Sequence, residues 1–313
     1  MHILEKVRNF DRPERIAVSR RFPRLTPYIL AVRHTLKHIN NRFHTIARRV
    51  STTTLPHTLA RHQSLLLRRL GDSDPRLQQQ KITNLRTAAS HLNGLIIKPG
   101  ETFSLWETIG RPTAKRGYTY GMLLSNGTVT EGIGGGLCQM ANLLYWLFLH
   151  SPLTITERHH HSRDVFPDSG RVLPFGSGAT IMYNFVDLQV KNTTDRPIQL
   201  SVWLTDKHLK GALRTDTPLT THYHIIEKNH AIYKERNRHF RYNELWREVT
   251  AAGQATSLEY ITTNFAPILY PIDAAYCSRL GYTYHDISFD YQTFIAQEQP
   301  LPRSLRALAV ESA

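Results

Sequence analysis

Gly132-Ile133-Gly134-Gly135-Gly136-Leu137-Cys138-Gln139 runs straight into Met140-Ala141-Asn142-Leu143-Leu144-Tyr145-Trp146-Leu147-Phe148-Leu149. The second segment is apolar and helix-compatible. A glycine turn that opens a helix leaves backbone N–H groups facing outward, which favours an anion or a developing oxyanion. Glycines also let a substrate approach the backbone. Cys138 falls in the first helical turn, where the helix dipole favours thiolate over thiol. It is therefore a candidate nucleophile, with Gly134, Gly135, Gly136 and Gln139 as candidate substrate-binding residues. Two other glycine-loop readings fail. The nucleotide P-loop ends in Gly-Lys-Ser/Thr, and this one ends in Gly-Leu-Cys. The dinucleotide fingerprint needs a parallel βαβ unit, which the flanking pattern does not supply.

Ser151-Pro152 ends the helix. Leu153 to Ser162 follows, β-branched and alternating, and reads as a strand. On a period of two, Ile155, Glu157, His159 and His161 share one face, which Ile155 marks as inward. A cysteine at a helix head followed by a strand histidine suits a thiol–imidazole pair. The histidine would take the thiol proton and return it to a leaving group. Glu157 or Asp187 would orient the ring. Each piece also has a plainer reading: a small apolar filler for the cysteine, a tight turn for the glycines. Neighbours in the His159-His160-His161 triplet point to opposite faces, and no Cys-x-x-Cys or His-Glu-x-x-His accompanies them. No metal or cofactor is expected.

Working outward, Ile29 to Ile46 recur at helical spacing after Pro27. Residues 57–70 read as a second amphipathic helix and Arg76 to Leu92 as a third. Leu95-Ile96-Ile97 reads as a strand before the Pro99-Gly100 turn. Gly121–Leu124 and Thr128–Thr130 flank a hairpin turn. Strands are expected at 180–185, 187–191, 198–204, 221–226, 256–262 and 267–270. The tail beyond Gln297 reads as loosely ordered. Helices come first and strands later, so the class is α+β. The expected organisation is a basic helical N-terminal region (1–75), a mixed domain rich in antiparallel strands (76–272) and a C-terminal extension (273–313).

The chain has 313 residues and two cysteines, Cys138 and Cys277, too few for a disulfide framework. No apolar run approaches the ~18 residues of a membrane span, and no secretory signal opens the chain. A cytoplasmic address is the expectation. Residues 1–70 carry 15 Lys/Arg against 3 Asp/Glu, hence +12 of the chain's net +14. This arm suits an anionic membrane surface better than nucleic acid, because few aromatics interleave with its arginines. A solvated extension without a ligand is the plainer alternative.

Gly134 to Gln139, then Glu157-Arg158 and His161-Ser162, resemble the signature of the VanW family. Asn84-Leu85-Arg86, Pro99 to Ser104, Gly117-Tyr118, Leu124 to Gly127, Phe166 to Arg171, Pro174 to Thr180 and Val186-Asp187-Leu188 extend the likeness across roughly residues 80–270. The resemblance implies an accessory role in glycopeptide (vancomycin-type) resistance or cell-wall metabolism, with a peptidoglycan-type peptide or cell-wall precursor as partner. It implies a context rather than a reaction. Cys138, Gln139 and His161 match the motif best, and Arg158 and Ser162 join the substrate-binding candidates. Many relatives carry Asp-Ala-Thr where this chain has Gly178-Ala179-Thr180, which removes one candidate acid. Two function classes remain open: a Cys/His acyl-transfer or amide-hydrolysing enzyme, and a module that binds a peptide carboxylate at the glycine loop without turnover.

Overall fold

The computed structural model describes residues 2–11, 23–25, 28, 32, 35, 45–67, 75–125, 128–165, 167, 172–251 and 254–298. In chain order these form helix α1 (His2–Asp11), strands β1 (Arg49–Val50) and β2 (His57–Leu65), helix α2 (Pro75–Leu92), strands β3 (Leu95–Ile97) and β4 (Thr102–Ser104), and the short helix α3 (Leu105–Ile109). The hairpin β5 (Tyr120–Ser125) and β6 (Thr128–Ile133) leads through the glycine turn to helix α4 (Cys138–Leu149). Strands β7 (Thr154–Glu157), β8 (Gln189–Lys191), β9 (Ile198–Leu204), β10 (His208–Thr215), β11 (Thr221–Glu235), β12 (Arg238–Ala251) and β13 (Gln254–Pro267) follow. Helix α5 (Ala274–Arg279), strand β14 (Thr283–Asp286) and helix α6 (Ser288–Glu298) complete the described chain. The class is α+β, as the element order predicts.

Sheet order in the main body is β1-β3-β9-β10-β2, antiparallel throughout. Helix α4 lies across it and is nearly all buried, with Leu143, Leu147, Phe148 and Leu149 at 1 % exposure or less. It sits close because Gly211 of β10 presents no side chain. A Cβ there would meet Leu147 Cδ1 at 2.7 Å and Leu143 Cδ2 at 3.1 Å. The small sheet β4-β8-β7 closes the other side, and Phe103 of β4 meets Phe148 edge-on at 5.3 Å. A four-stranded sheet, β13-β12-β11-β14, forms the second layer of strands. Helix α1 packs Val7 against Phe240, Ile287 and Tyr291 of this part, so the first turns of the basic arm bury their apolar face on the protein itself.

Several expectations change. The amphipathic helix over 57–70 is instead β2, hydrogen-bonded to β10 from His57↔Thr215 to Leu65↔His208. Its inward positions from residue 62 are His62, Ser64 and Leu66, while Arg61, Gln63 and Leu65 are exposed. Polar residues at two inward positions hide the two-residue period, and a waiting partner strand overrides local preference. Ile46, placed on a helix face by its spacing, bridges Thr102 in extended chain. Most of the helix expected over 27–46 lies outside the described residues, as does the tail beyond Glu298. Residues 180–185 make a turn rather than a strand, with Asn184 at φ 59°. Strands β10 and β12 had no counterpart in the sequence reading. Arg76–Leu92, Leu95–Ile97, the β5–β6 hairpin and the start of α4 fall where the pattern places them.

Phe148→Ala is expected to cost about 3–5 kcal/mol of unfolding free energy, because a large fully buried ring leaves a cavity between α4 and two sheets. Urea denaturation followed by circular dichroism measures this. A loss below about 1 kcal/mol would show that α4 does not organise the core.

Candidate functional site

The head of α4 is built by packing. Gly135 lies against Gly121 of β5 so closely that a Cβ would fall inside the Gly121 backbone. Asn84, fully buried on α2, locks this contact. Its Nδ2 donates to the carbonyls of Gly135 (2.9 Å) and Thr119 (3.0 Å), and its Oδ1 accepts from the Thr119 N–H at 2.8 Å. Gly134 (φ 82°) sits on Pro112, and Gly136 (φ 89°) sits on the aliphatic stem of Lys81. Lys81 is itself buried, with Nζ donating to Gln78 Oε1 at 2.8 Å. The glycines thus answer to left-handed backbone and to neighbouring protein atoms. Gly134 and Gly135 are buried, which corrects the expectation that this turn lies open to a substrate.

Cys138 is half-buried. Its sulfur accepts from the N–H groups of Ile181 and of Cys138 itself, both of which favour thiolate. Burial outweighs them and pushes the thiol pKa up. The expected activation by the helix start therefore does not win, because desolvation disfavours the charged form more strongly than a helix end on a half-open site stabilises it. The helix also lacks a capping side chain, with Leu137 at the N-cap position. Gln139 is anchored through its amide nitrogen. Its Nε2 donates to Ser64 Oγ (2.9 Å) and to the Leu65 carbonyl (2.8 Å), tying α4 to the end of β2.

Strand β7 ends at Glu157, after a register shift between Ile155 and Glu157. That irregularity breaks the even alternation the sequence suggests and turns Arg158 inward. The Arg158 guanidinium donates to the Gly178 carbonyl through Nε (3.0 Å) and Nη2 (2.8 Å), and to the Gly176 carbonyl. It stacks over Tyr145 of α4 at 4.9 Å, and burial lowers its pKa. These bonds clamp the loop 174–180 from within the protein. Asn142, one helical turn beyond Cys138, accepts from the Ala179 N–H at 2.8 Å. Asn243 of β12 donates to the Phe175 carbonyl at 2.7 Å.

This clamped loop delivers Thr180 and Ile181. The Thr180 N–H donates to the His159 carbonyl at 2.8 Å, and Thr180 Oγ1 pairs with His161 Nδ1 at 2.9 Å. The next N–H, that of Ile181, reaches Cys138 Sγ. Two consecutive residues therefore hold the imidazole and the sulfur, which places them within roughly 10 Å of each other by hydrogen-bond lengths alone. His159 is half exposed and faces Glu157, with Nε2 3.4 Å from Oε1. Glu157 Oε1 also accepts from the Asp187 N–H at 3.0 Å. Ser162 is exposed.

Asp187 holds a helix start. It is fully buried, accepting from Ser104 Oγ (2.5 Å), Trp106 N–H (3.2 Å), Leu188 N–H (2.8 Å) and Gln189 Nε2 (3.1 Å). Ser104 is the N-cap of α3, so this carboxylate secures the helix start next to β4 and β8. The sequence reading missed Asn84, Asn142 and Thr180. Buried amides on otherwise apolar helix faces, Asn84 beside Leu85 and Asn142 beside Leu143, were the available signal.

Gly135→Ala is expected to cost at least about 3 kcal/mol, since two backbones rather than a flexible side chain must part. Urea unfolding measures it. A cost under about 1 kcal/mol would mean the Gly121–Gly135 contact is not tight.

The family model described as VanW like protein matches residues 80–214. This interval holds the glycine turn, Cys138, the Arg158 clamp and Asp187. Over 259 residues the chain is 34% identical to the Vancomycin B-type resistance protein VanW of Enterococcus faecalis (strain ATCC 700802 / V583), covering 82% of this chain and 94% of that protein. A shorter stretch of 115 residues is 30% identical to the Uncharacterized protein YoaR of Bacillus subtilis (strain 168), covering 37% of this chain and 36% of that protein. No solved structure matches. Likeness of this extent to the enterococcal protein shows that the chain belongs to the VanW family.

Proposed function

We propose that this chain is an accessory factor of glycopeptide (vancomycin-type) resistance that recognises a peptidoglycan-type peptide, or another cell-wall precursor, on the face bearing Cys138, His159, His161 and Thr180. The resistance context is supported by similarity running over 94% of a protein named for vancomycin resistance. Recognition without turnover is supported above all by the packing of Cys138 at the head of α4, where burial pushes its thiol pKa up. A thiol is a poor nucleophile, so a site of this kind favours holding over cleaving. The half-exposed His159 and the Thr180-oriented His161 are the groups on this face that would meet a peptide carboxylate.

A catalytic reading is favoured by the adjacency of Thr180 and Ile181, which hold the imidazole and the sulfur from neighbouring positions. With Nδ1–H donating to Thr180, His161 Nε2 is the nitrogen that would take the thiol proton. Sγ would then bond to the peptide carbonyl carbon, and the proton would pass to the departing amine. Water would complete hydrolysis of the thioester.

Calorimetry with a peptide ending in D-alanyl-D-alanine or D-alanyl-D-lactate, run beside mass spectrometry of the same mixture, separates the two. Recognition predicts affinity unchanged within threefold in Cys138→Ser, at least tenfold weaker binding in His161→Ala, and intact peptide throughout. Shortened peptide that disappears with Cys138→Ser would establish the catalytic reading instead. Failure of both peptides to bind would overturn the proposed ligand class.

A further inference from the structure

The far end of α4 carries a second site. Between β2, the C-terminal turn of α4 and the start of β11 lies a hollow of about 190 Å³, lined by Arg61, Trp146, His150, Thr221, His222 and Tyr223 together with five apolar residues. At about 1.5 Å of rise per residue, Trp146 and His150 stand roughly 12–18 Å along α4 from Cys138, and the hollow shares no side chain with that face. Pockets for drug-sized ligands begin near ~300 Å³, so the room here suits a single ring.

The chemistry of the lining narrows the ligand. Trp146 and Tyr223 offer flat aromatic surface, yet most of the other named groups are polar. The Trp146 indole N–H has no hydrogen-bond partner among the described residues, and neither has the Tyr223 hydroxyl. His150 Nδ1 lies 2.9 Å from the Trp146 carbonyl, and a carbonyl only accepts, so Nδ1 carries the proton. Burial, aided by His224 and Arg247, pushes the His150 pKa down against that hydrogen bond and keeps the ring neutral, leaving Nε2 as an acceptor. No Asp or Glu lines the hollow among the described residues, while Arg61 brings a permanent positive charge to its rim. Aromatic surface, mixed donors and acceptors, and one uncompensated cation fit a hydroxylated ring with an acidic substituent. A purely aromatic ligand would leave the donors and acceptors unpaired, at a cost for each one buried.

We propose that this hollow binds one sugar-sized ring bearing a carboxylate or a phosphate. The ring lies against Trp146, its hydroxyls meet the Trp146 indole N–H, His150 Nε2 and Tyr223, and its anionic group meets Arg61. The site stands independently of the Cys138 face, and Cys138→Ser leaves it unaltered.

Titration calorimetry and saturation-transfer NMR on the full chain test this with glucuronate, glucose 6-phosphate, glucose, inorganic phosphate and benzoate. At least one of the two anionic sugars binds tenfold or more tightly than glucose, inorganic phosphate or benzoate. Arg61→Gln, a change at an exposed side chain, brings the anionic sugars down to the level of glucose, and Trp146→Ala weakens every sugar at least tenfold. Failure of both anionic sugars to bind, preference for benzoate, or anionic-sugar binding indifferent to Arg61→Gln would overturn the proposal. Should Trp146→Ala fail to fold, the Arg61→Gln comparison and the ligand ranking decide alone.

Discussion

The contact between the backbones of Gly121 and Gly135 is the constraint on which the site depends. Two chains meet there without an intervening Cβ, and Asn84 bonds both sides of the junction. This fixes where the glycine turn ends and therefore where α4 begins. The direction of α4 sets the positions of Cys138, Gln139 and Asn142 at one end and of Trp146 and His150 at the other. Gly211, by letting β10 lie close beneath Leu143 and Leu147, fixes the helix from the opposite side. A single apolar helix held between two glycine contacts thus places both faces of interest.

Around that helix, polar side chains mostly hold backbone. Arg158 binds carbonyls of the 174–180 loop, Asn142 and Asn243 bind the same loop from two more directions, and Asp187 secures the start of α3. Loops carry few ladder hydrogen bonds of their own, so a loop packed against a core needs side chains to satisfy it. The family-like residues in this stretch are to a large extent that scaffolding. Left on the solvent side are the imidazoles of His159 and His161 and the open part of Cys138.

How much of this was legible in the sequence follows from which signals are local. The α2 helix, the β5–β6 hairpin and the start of α4 are written in spacing and in turn residues, and they appear where spacing puts them. Strand β2 was not legible, because His62 and Ser64 face inward and the partner that makes it a strand lies some 150 residues away in β10. Arg158 enters the ligand-binding candidates through the family motif, and Asp187 enters as an acid that would orient a histidine. Only the shift in β7 register and the position of Ser104 reveal that both serve the fold. The pKa of Cys138 was read the wrong way round for a related reason. A helix start is visible in sequence, whereas the burial that desolvates a sulfur depends on tertiary packing that no local pattern records.

Central to this structure is a head of α4 that is packed and whose thiol is raised in pKa by burial. Titrating thiolate absorbance near 240 nm against pH, in wild type and in Cys138→Ser, isolates this one group from Cys277. The account predicts a midpoint for Cys138 above the ~8.5 of an unperturbed cysteine. A midpoint below about 7 would contradict it, since the helix start would then have prevailed over burial.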